Sequence, residues 1–216
     1  RSLRLGVKAA FLGVLAEDAL LFRPGPVNGR DWYAARPDVA PFTLAWAPEA
    51  GEASADLGYT YGPYRLTPRD AEGRDGDALG GHYFSVWTRE AGASWRLWLD
   101  QGLPHALTEL PVEAATPASP RPSTGGRAED LAARDDAFNT LLAGAHDAAA
   151  VQPYLSTDAV LLRPGQLPQS RDAVAAWTPM RAPAQRSALR VSKDGRLAAT
   201  AGATPEIGRA SCRERV

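Results

Sequence analysis

The chain has 216 residues, with 24 Lys and Arg against 25 Asp and Glu, so its formal net charge is −1. This balance argues against a nucleic-acid-binding surface, which requires an excess of basic residues. Hydrophobic residues make up 44% of the chain, which is enough for packed cores. The single cysteine, Cys212, excludes a disulfide framework and a cysteine-based zinc site. The sequence therefore predicts a globular protein of one or two domains.

The N-terminal segment contains an apolar run from Ala9 to Ala16 that follows Arg4 and Lys8. A membrane-spanning helix needs about 20 apolar residues, so this run predicts no membrane partner. Basic residues before a short apolar run also resemble a secretion signal. The internal repeat described next instead favours an amphipathic helix over residues 5–17, and the sequence predicts no cellular location.

An internal repeat has an offset of 140 residues. LAEDALLFRPG at 15–25 recurs as LSTDAVLLRPG at 155–165, with seven identities in eleven positions. Leu57, Thr60 and Gly62 recur at the same offset. Self-similarity at a fixed offset indicates repeated structural units, so the chain is predicted to contain two copies of one domain.

The repeat predicts the domain organisation. Residues 1–107 form the first domain with a shortened first helix, and 127–205 form a partial second domain. Residues 108–126 are a Pro/Ala/Ser linker, a composition that buries little surface and stays extended. The segment IGRASCRERV at 207–216 resembles the translation of a common sequencing adapter, and we interpret residues 206–216 as an artefact.

The strongest predicted hairpin pairs HYFSVWTR at 82–89 with SWRLWLDQ at 94–101. With Thr88 opposite Trp95, the more aliphatic face would pack on the helices. That face comprises His82, Phe84, Val86, Thr88, Trp95, Leu97, Leu99 and Gln101. The other face would carry Trp87, Trp98 and Asp100, unless a one-residue bulge turned Asp100 inward beside His82.

Four segments, DALLFRPGP, DLGYTYGPY, GGHYFSVWTR and SWRLWLDQG, resemble the NTF2-like superfamily, in particular its DUF4440 or SnoaL-like group. The resemblance implies an α+β cone, a curved antiparallel sheet packed against helices, in two tandem copies of which the second is incomplete. It also implies a pocket between sheet and helices, with a hydrophobic small molecule as its possible ligand. Such proteins commonly pair sheet to sheet, which implies a homodimer or an intrachain pseudo-dimer through Trp87 and Trp98.

The resemblance also bears on chemistry. In ketosteroid isomerase, a member of this superfamily, the general base is an Asp directly before the Pro of the first-strand motif. Here that position is Arg23, and a guanidinium cannot accept a proton at neutral pH. Isomerase chemistry of that type is therefore not expected. Arg23 would bind a carboxylate or phosphate of a ligand, or form a salt bridge within its own loop.

The predicted ligand-binding residues are Arg23, Tyr59, Tyr61, His82 and Gln101. His82 is either an acid–base group or a structural hydrogen-bond donor. Tyr59 and Tyr61 either line the pocket or belong to the core. Nucleotide-binding motifs and metal-ligand spacings are absent, so no cofactor is predicted. The predicted function is small-molecule binding, with a non-catalytic dimerisation or assembly module as the alternative, and the sequence leaves catalysis open.

Overall fold

The computed structural model describes residues 6–120, 126–144, 148–176 and 182–204. The predicted artefact at 206–216 lies outside the described residues. The elements of the first domain follow one another in this order: α1 (Val7–Leu12), β1 (Leu15–Phe22), β2 (Pro26–Asn28), α2 (Gly29–Ala34), β3 (Phe42–Trp46), β4 (Ala50–Ala53), β5 (Leu57–Pro68), β6 (Leu79–Thr88) and β7 (Arg96–His105).

Seven strands form one curved, open sheet in the order β2-β1-β7-β6-β5-β3, and β4 pairs with β5 beside β3. Every neighbouring pair is antiparallel except β1 and β7, which run parallel. Helices α1 and α2 pack on one face, which we call the concave face, and the opposite face is the convex face. The expected α+β class, a curved sheet packed against helices, is confirmed.

Strand alternation builds the core between the concave face and the helices. Alternate residues of β1, among them Leu15, Ala19 and Leu21, pack against the α1 and α2 side chains. The rings of Phe11 and Tyr33 stack with their centroids 4.5 Å apart, which joins the two helices.

Helix α2 lies close to β1 because its first residue, Gly29, has no side chain. A Cβ at Gly29 would lie 3.1 Å from Leu15 Cδ2 and 3.3 Å from Leu21 Cγ. Asn28 caps the helix, since its Oδ1 accepts hydrogen bonds from the backbone N–H groups of Arg30 and Asp31. These contacts fix the end of α2 that faces the sheet.

A bulge interrupts the pairing of β6 with β7. Trp87 lies opposite Leu97 and Val86 lies opposite Leu99, so Trp98 is an extra residue in β7. Trp98 is 2% exposed and packs on the convex face. Because of this extra residue, the side chains of β7 on the two sides of the bulge alternate between the faces in different phase.

The second domain has its own small core, formed by Leu142, Val151 and Leu161. Its elements are α3 (Ala128–Ala143), α4 (Ala148–Val151), β8 (Val160–Arg163), β9 (Gln166–Ser170), β10 (Gln185–Val191) and β11 (Ala198–Ala203), with 3-10 turns at Gln152–Tyr154 and Arg171–Ala176. As in the first domain, a helix precedes two short strands, which are followed by a helical turn and further strands. Duplication of one module stays a prediction.

One local prediction was wrong: the helix expected over 5–17 ends at Leu12, and β1 takes the residues from Leu15 onward. Part of the predicted linker lies extended along the edge of β4. Ala115 N–H donates to Pro48 O (2.8 Å), Ala118 N–H donates to Gly51 O (2.9 Å), and Ala53 N–H donates to Ala118 O (2.8 Å).

Candidate functional site: a cavity between sheet and helices

A cavity of about 510 Å³ lies between the concave face and the two helices of the first domain. Its size falls within the usual range for small-molecule sites. Most of its wall is aliphatic or aromatic, contributed by Val7, Ala10, Phe11, Val14, Trp32, Phe42, Leu44, Trp46, Leu66, Trp87 and Leu97. The cavity therefore offers an environment suited to an apolar molecule.

Asp100 is the one carboxyl group in the cavity wall among the residues that the structure describes. Ser85, directly opposite on β6, donates its hydroxyl to Asp100 Oδ1 at 2.6 Å. Burial raises the pKa of Asp100, while the Ser85 hydrogen bond and the positive charge of Arg23 act in the opposite direction. Burial therefore favours the neutral carboxylic acid, which can donate a hydrogen bond into the cavity.

Tyr33 of α2 faces the same region. Burial raises the pKa of its hydroxyl, the negative charge of Asp100 raises it further, and the charge and hydrogen bond of Arg23 oppose this. Arg23 is exposed, donates to Phe22 O at 2.7 Å and lies over the Trp32 ring at 5.0 Å. The guanidinium thus forms one side of the cavity's polar region.

Tyr83 of β6 completes this polar group. Burial raises the pKa of its hydroxyl to about 12, against which a hydrogen bond with Thr60 acts. Tyr83 and Tyr33 are therefore protonated at neutral pH, as Arg23 is. Each of these groups, like a protonated Asp100, can donate a hydrogen bond, so the polar region suits an acceptor oxygen.

The polar group of the cavity lies between two apolar regions. Asp100 lies opposite Ser85, and Trp87 pairs with Leu97 two residues further along the hairpin on one side. Leu66, which also lines the cavity, pairs with Leu79 at the far end of β6 on the other side. The polar group of a ligand would therefore be held between the two apolar regions.

Of the predicted site residues, only Arg23 lines the cavity. His82 and Gln101 lie on the convex face, since they share it with Val86 and Leu99 by strand alternation. Tyr59 and Tyr61, which pair with Val86 and Phe84, lie there as well. These four residues therefore do not line this cavity, although Tyr59 borders a second, smaller one. Whether any of the five residues binds a ligand stays a prediction.

The face assignment of the hairpin differs from the prediction because both of its faces are buried. The prediction assigned the more aliphatic face to the helices, but the second domain packs on the convex face around Val86 and Leu99. Asp100 stays on the face of Ser85 and Trp87, as in the predicted register, and lies inside because that whole face meets the helices. The alternative, in which a bulge turns Asp100 beside His82, was wrong; the bulge at Trp98 instead brings Leu97 onto the cavity face. Trp87, predicted to lie on the outer face, lines the cavity.

The convex face carries a hydrogen-bonded chain of its own. His82, 4% exposed, places Nε2 3.2 Å from Glu49 Oε2 and Nδ1 2.6 Å from His105 Nε2. His105 Nδ1 lies 2.7 Å from Ala106 O, so it donates to that carbonyl. Both ring nitrogens of each histidine are engaged, which agrees with a structural donor role for His82.

Sequence reasoning missed Ser85, Tyr33 and Tyr83, and it placed Asp100 and Trp87 on the wrong face. A strand of alternating Tyr83, Ser85 and Trp87 was visible, but polar residues in a strand usually indicate the solvent face. In the part of the chain that the structure describes, no group of three His, Cys, Asp or Glu side chains could hold a metal ion. The described helices are all too short or too polar to cross a membrane.

No protein-family model matches the chain, and no curated protein matches its sequence. Solved structures do match the fold. An NTF2-like superfamily protein from Salmonella enterica is 16% identical, with a TM-score of 0.38 over 49% of this chain and 82% of its own. A ketosteroid isomerase-like protein from Erwinia carotovora is 15% identical, with a TM-score of 0.40 over 49% and 87%.

The association domain of CaMKII from C. elegans is 11% identical, with a TM-score of 0.33 over 42% of this chain and 74% of its own. These three structures are described as an NTF2-like protein, a ketosteroid isomerase-like protein and an association domain.

Proposed function

We propose that the first domain binds a small apolar molecule that carries an acceptor oxygen, such as a ketone or a carboxylic acid. The observation that carries this proposal is an apolar cavity of about 510 Å³ with hydrogen-bond donors grouped around Asp100. Transfer of the apolar body from water supplies the affinity. The donors around Asp100 orient the oxygen, because a buried donor without a partner is unfavourable.

The polar group supports an acceptor oxygen more than a donor. Burial acts on Asp100, Tyr33 and Tyr83 in the same direction, toward the protonated form. Arg23 adds a permanent positive charge to this polar group. A ketone oxygen would accept from a protonated Asp100, and a carboxylate would in addition be attracted by Arg23.

Titration with decanoic acid and with its methyl ketone, followed by the fluorescence of the tryptophans in the cavity wall, tests the proposal. Leu44→Trp fills the cavity from β3, and we expect it to weaken both ligands at least tenfold. Leu79→Trp is the matched control, since Leu79 is 59% exposed and lies outside the cavity wall. Absence of binding to the unaltered protein, or equal binding by Leu44→Trp, would overturn the proposal.

A second candidate function, assembly through the convex face, is favoured by a separate observation. Trp98 packs against Ala201 of β11, with Leu197 and Ala199 beside it. The Arg190 guanidinium lies 5.3 Å from the Trp98 ring centroid and forms an ion pair with Asp18. We infer that this surface pairs with the second domain of the same chain. Trp87 takes no part in it.

Molar mass measured in solution separates intrachain pairing from a homodimer. If the second domain occupies the convex face, the chain has the mass of one copy over a wide concentration range. Trp98→Arg would then lower stability without changing the mass at low concentration. A mass of two copies that Trp98→Arg reduces to one would show that this face pairs between chains.

A further inference from the structure

A second, smaller cavity of about 210 Å³ lies beside the first, at the edge of the sheet formed by β4. Ala53, Gly58, Thr60, Trp87 and Trp95 line it, and Glu52 and Tyr59 also border it. Pro117 of the linker closes its outer side. We call this space the annex.

Trp87 alone, among the residues that the structure describes, lines both the main cavity and the annex. The indole of Trp87 therefore stands between the two spaces. Gly58 lies directly opposite Trp87 in the β5–β6 pair, so that no side chain from β5 stands beside the indole there. Both spaces are apolar, and they are separated by one side chain.

A hydrogen bond holds the indole in this position. Trp87 Nε1 donates to Thr60 Oγ1 at 3.1 Å, and Thr60 also shares a hydrogen bond with the Tyr83 hydroxyl at the cavity wall. Thr60 thus connects the Trp87 indole, the partition between the two spaces, to the polar group of the main cavity. Replacing the Thr60 hydroxyl by a methyl group would remove the acceptor with little change in volume.

We propose that Trp87 determines the length of ligand that the site accepts, by closing the main cavity against the annex. This proposal rests on the proposed function, because the ligand's polar group must lie beside Arg23 and Asp100. Trp87 lies on the same face of β6 as Ser85, the partner of Asp100, and is two residues away from it. A tail that leaves the polar group on this side meets the indole before it can reach the annex.

Titration with hexanoic, octanoic, decanoic, dodecanoic and tetradecanoic acids tests the proposal. Each buried methylene contributes about a fourfold gain in affinity, so affinity rises with chain length until the main cavity is full and then stops rising. In Trp87→Ala the rise continues into the annex. We expect the longest acid to bind this variant about tenfold more tightly than the unaltered protein, and the gain to shrink with each shorter acid.

Two further variants make the result decisive. We call the chain length at which affinity stops rising the break. Thr60→Val, which frees the indole without truncating it, should shift the break toward longer acids even if Trp87→Ala fails to fold. Ala53→Leu fills the annex, and adding it to Trp87→Ala should restore the original break. Trp95→Ala is the matched control, because Trp95 lines only the annex and its loss leaves the partition in place.

The outcomes separate this proposal from the proposed function. If no acid binds the unaltered protein, the proposed function fails and this inference fails with it. If the acids bind but the break stays at the same length in Thr60→Val and in Trp87→Ala, binding in the cavity stands and the role of Trp87 is overturned.

Discussion

The two faces of the first domain's sheet are built from the same strands but are covered in different ways. On the concave face, α1 and α2 leave a space bounded by Trp87, Asp100 and their neighbours. On the convex face, the second domain covers Trp98 and leaves it almost fully buried. Strand alternation alone does not decide which face binds a ligand; the elements packed on each face do.

The polar groups of the two faces differ in the same way. On the convex face, His82 has partners at both ring nitrogens, Glu49 and His105. On the concave face, Asp100 has one side-chain partner, Ser85, and keeps its remaining surface toward the cavity. We therefore expect convex variants to change stability without changing ligand affinity, and cavity variants to change affinity.

The largest expected effect is that of Trp98→Ala. Truncating a buried tryptophan in a core costs about 3–5 kcal/mol, and Trp98 is 2% exposed. Denaturant unfolding should show this loss, with decanoic acid affinity unchanged under conditions where the variant is folded. Trp95→Ala, in which a half-buried residue is truncated, should cost less. A reduced affinity in Trp98→Ala would break the distinction between the faces.

His82→Leu should have the next largest effect. The substitution removes the partner of both Glu49 and His105, and the loss of buried hydrogen bonds costs about 1–3 kcal/mol. His105→Leu serves as control, because His105 is nearer to solvent, which can replace its contacts. Urea unfolding compares the two, and an equal or larger loss in His105→Leu would contradict the structural role given to His82.

Asp100→Asn sharpens the comparison through its pH dependence. The folded-state pKa of Asp100 is raised, so the folded chain holds this proton more tightly than the unfolded chain, whose Asp has a pKa of about 3.9. The penalty for ionising Asp100 therefore appears as pH rises from about 3.9 through the raised value, and stability falls across that window.

In Asp100→Asn this fall is absent, while the Ser85 hydroxyl keeps an acceptor. The free energy of unfolding, measured at a series of pH values, should rise for the variant relative to the unaltered protein as pH rises. The methyl ketone should bind the unaltered protein less tightly above the raised pKa, because a carboxylate cannot donate, and bind the variant equally at each pH. Parallel pH profiles would refute a raised pKa.

Arg190→Ala should have the smallest effect. Arg190 and Asp18 are both well exposed in their ion pair, and exposed pairs contribute less than about 1 kcal/mol. Added salt should reduce the difference between Arg190→Ala and the unaltered protein further. A loss of stability well above about 1 kcal/mol that does not change with salt would indicate that the contact of Arg190 with the Trp98 ring contributes more than the ion pair with Asp18.

The sequence was sufficient for the strands and for the class of fold. The hairpin of β6 and β7 follows from period-two patterns on both sides of Gly92, and Pro24-Gly25-Pro26 marks the turn after β1. These signals are local, because turn chemistry and strand alternation depend on neighbouring residues. The helix over 5–17 failed because an apolar run such as Val14 to Ala16 fits a buried strand as well as a helix.

The face assignments depend on distant parts of the chain. A bulge such as that at Trp98 leaves little trace in the sequence, yet it places Leu97 on the same face as Trp87 and Asp100. The second domain buries the convex face, so hydrophobicity no longer distinguishes inside from outside. Arg23 was found because it follows a strand and precedes Pro24, a position set by the local motif.

The attachment of Ala115 and Ala118 to β4 has a consequence for how the second domain reaches its place. Only residues 119–127 separate that attachment from the start of α3. A shorter tether raises the effective concentration of one module near the other. By shortening the free tether, the strand-like segment favours the proposed pairing of the two modules within one chain, which dilution of the protein would not reverse.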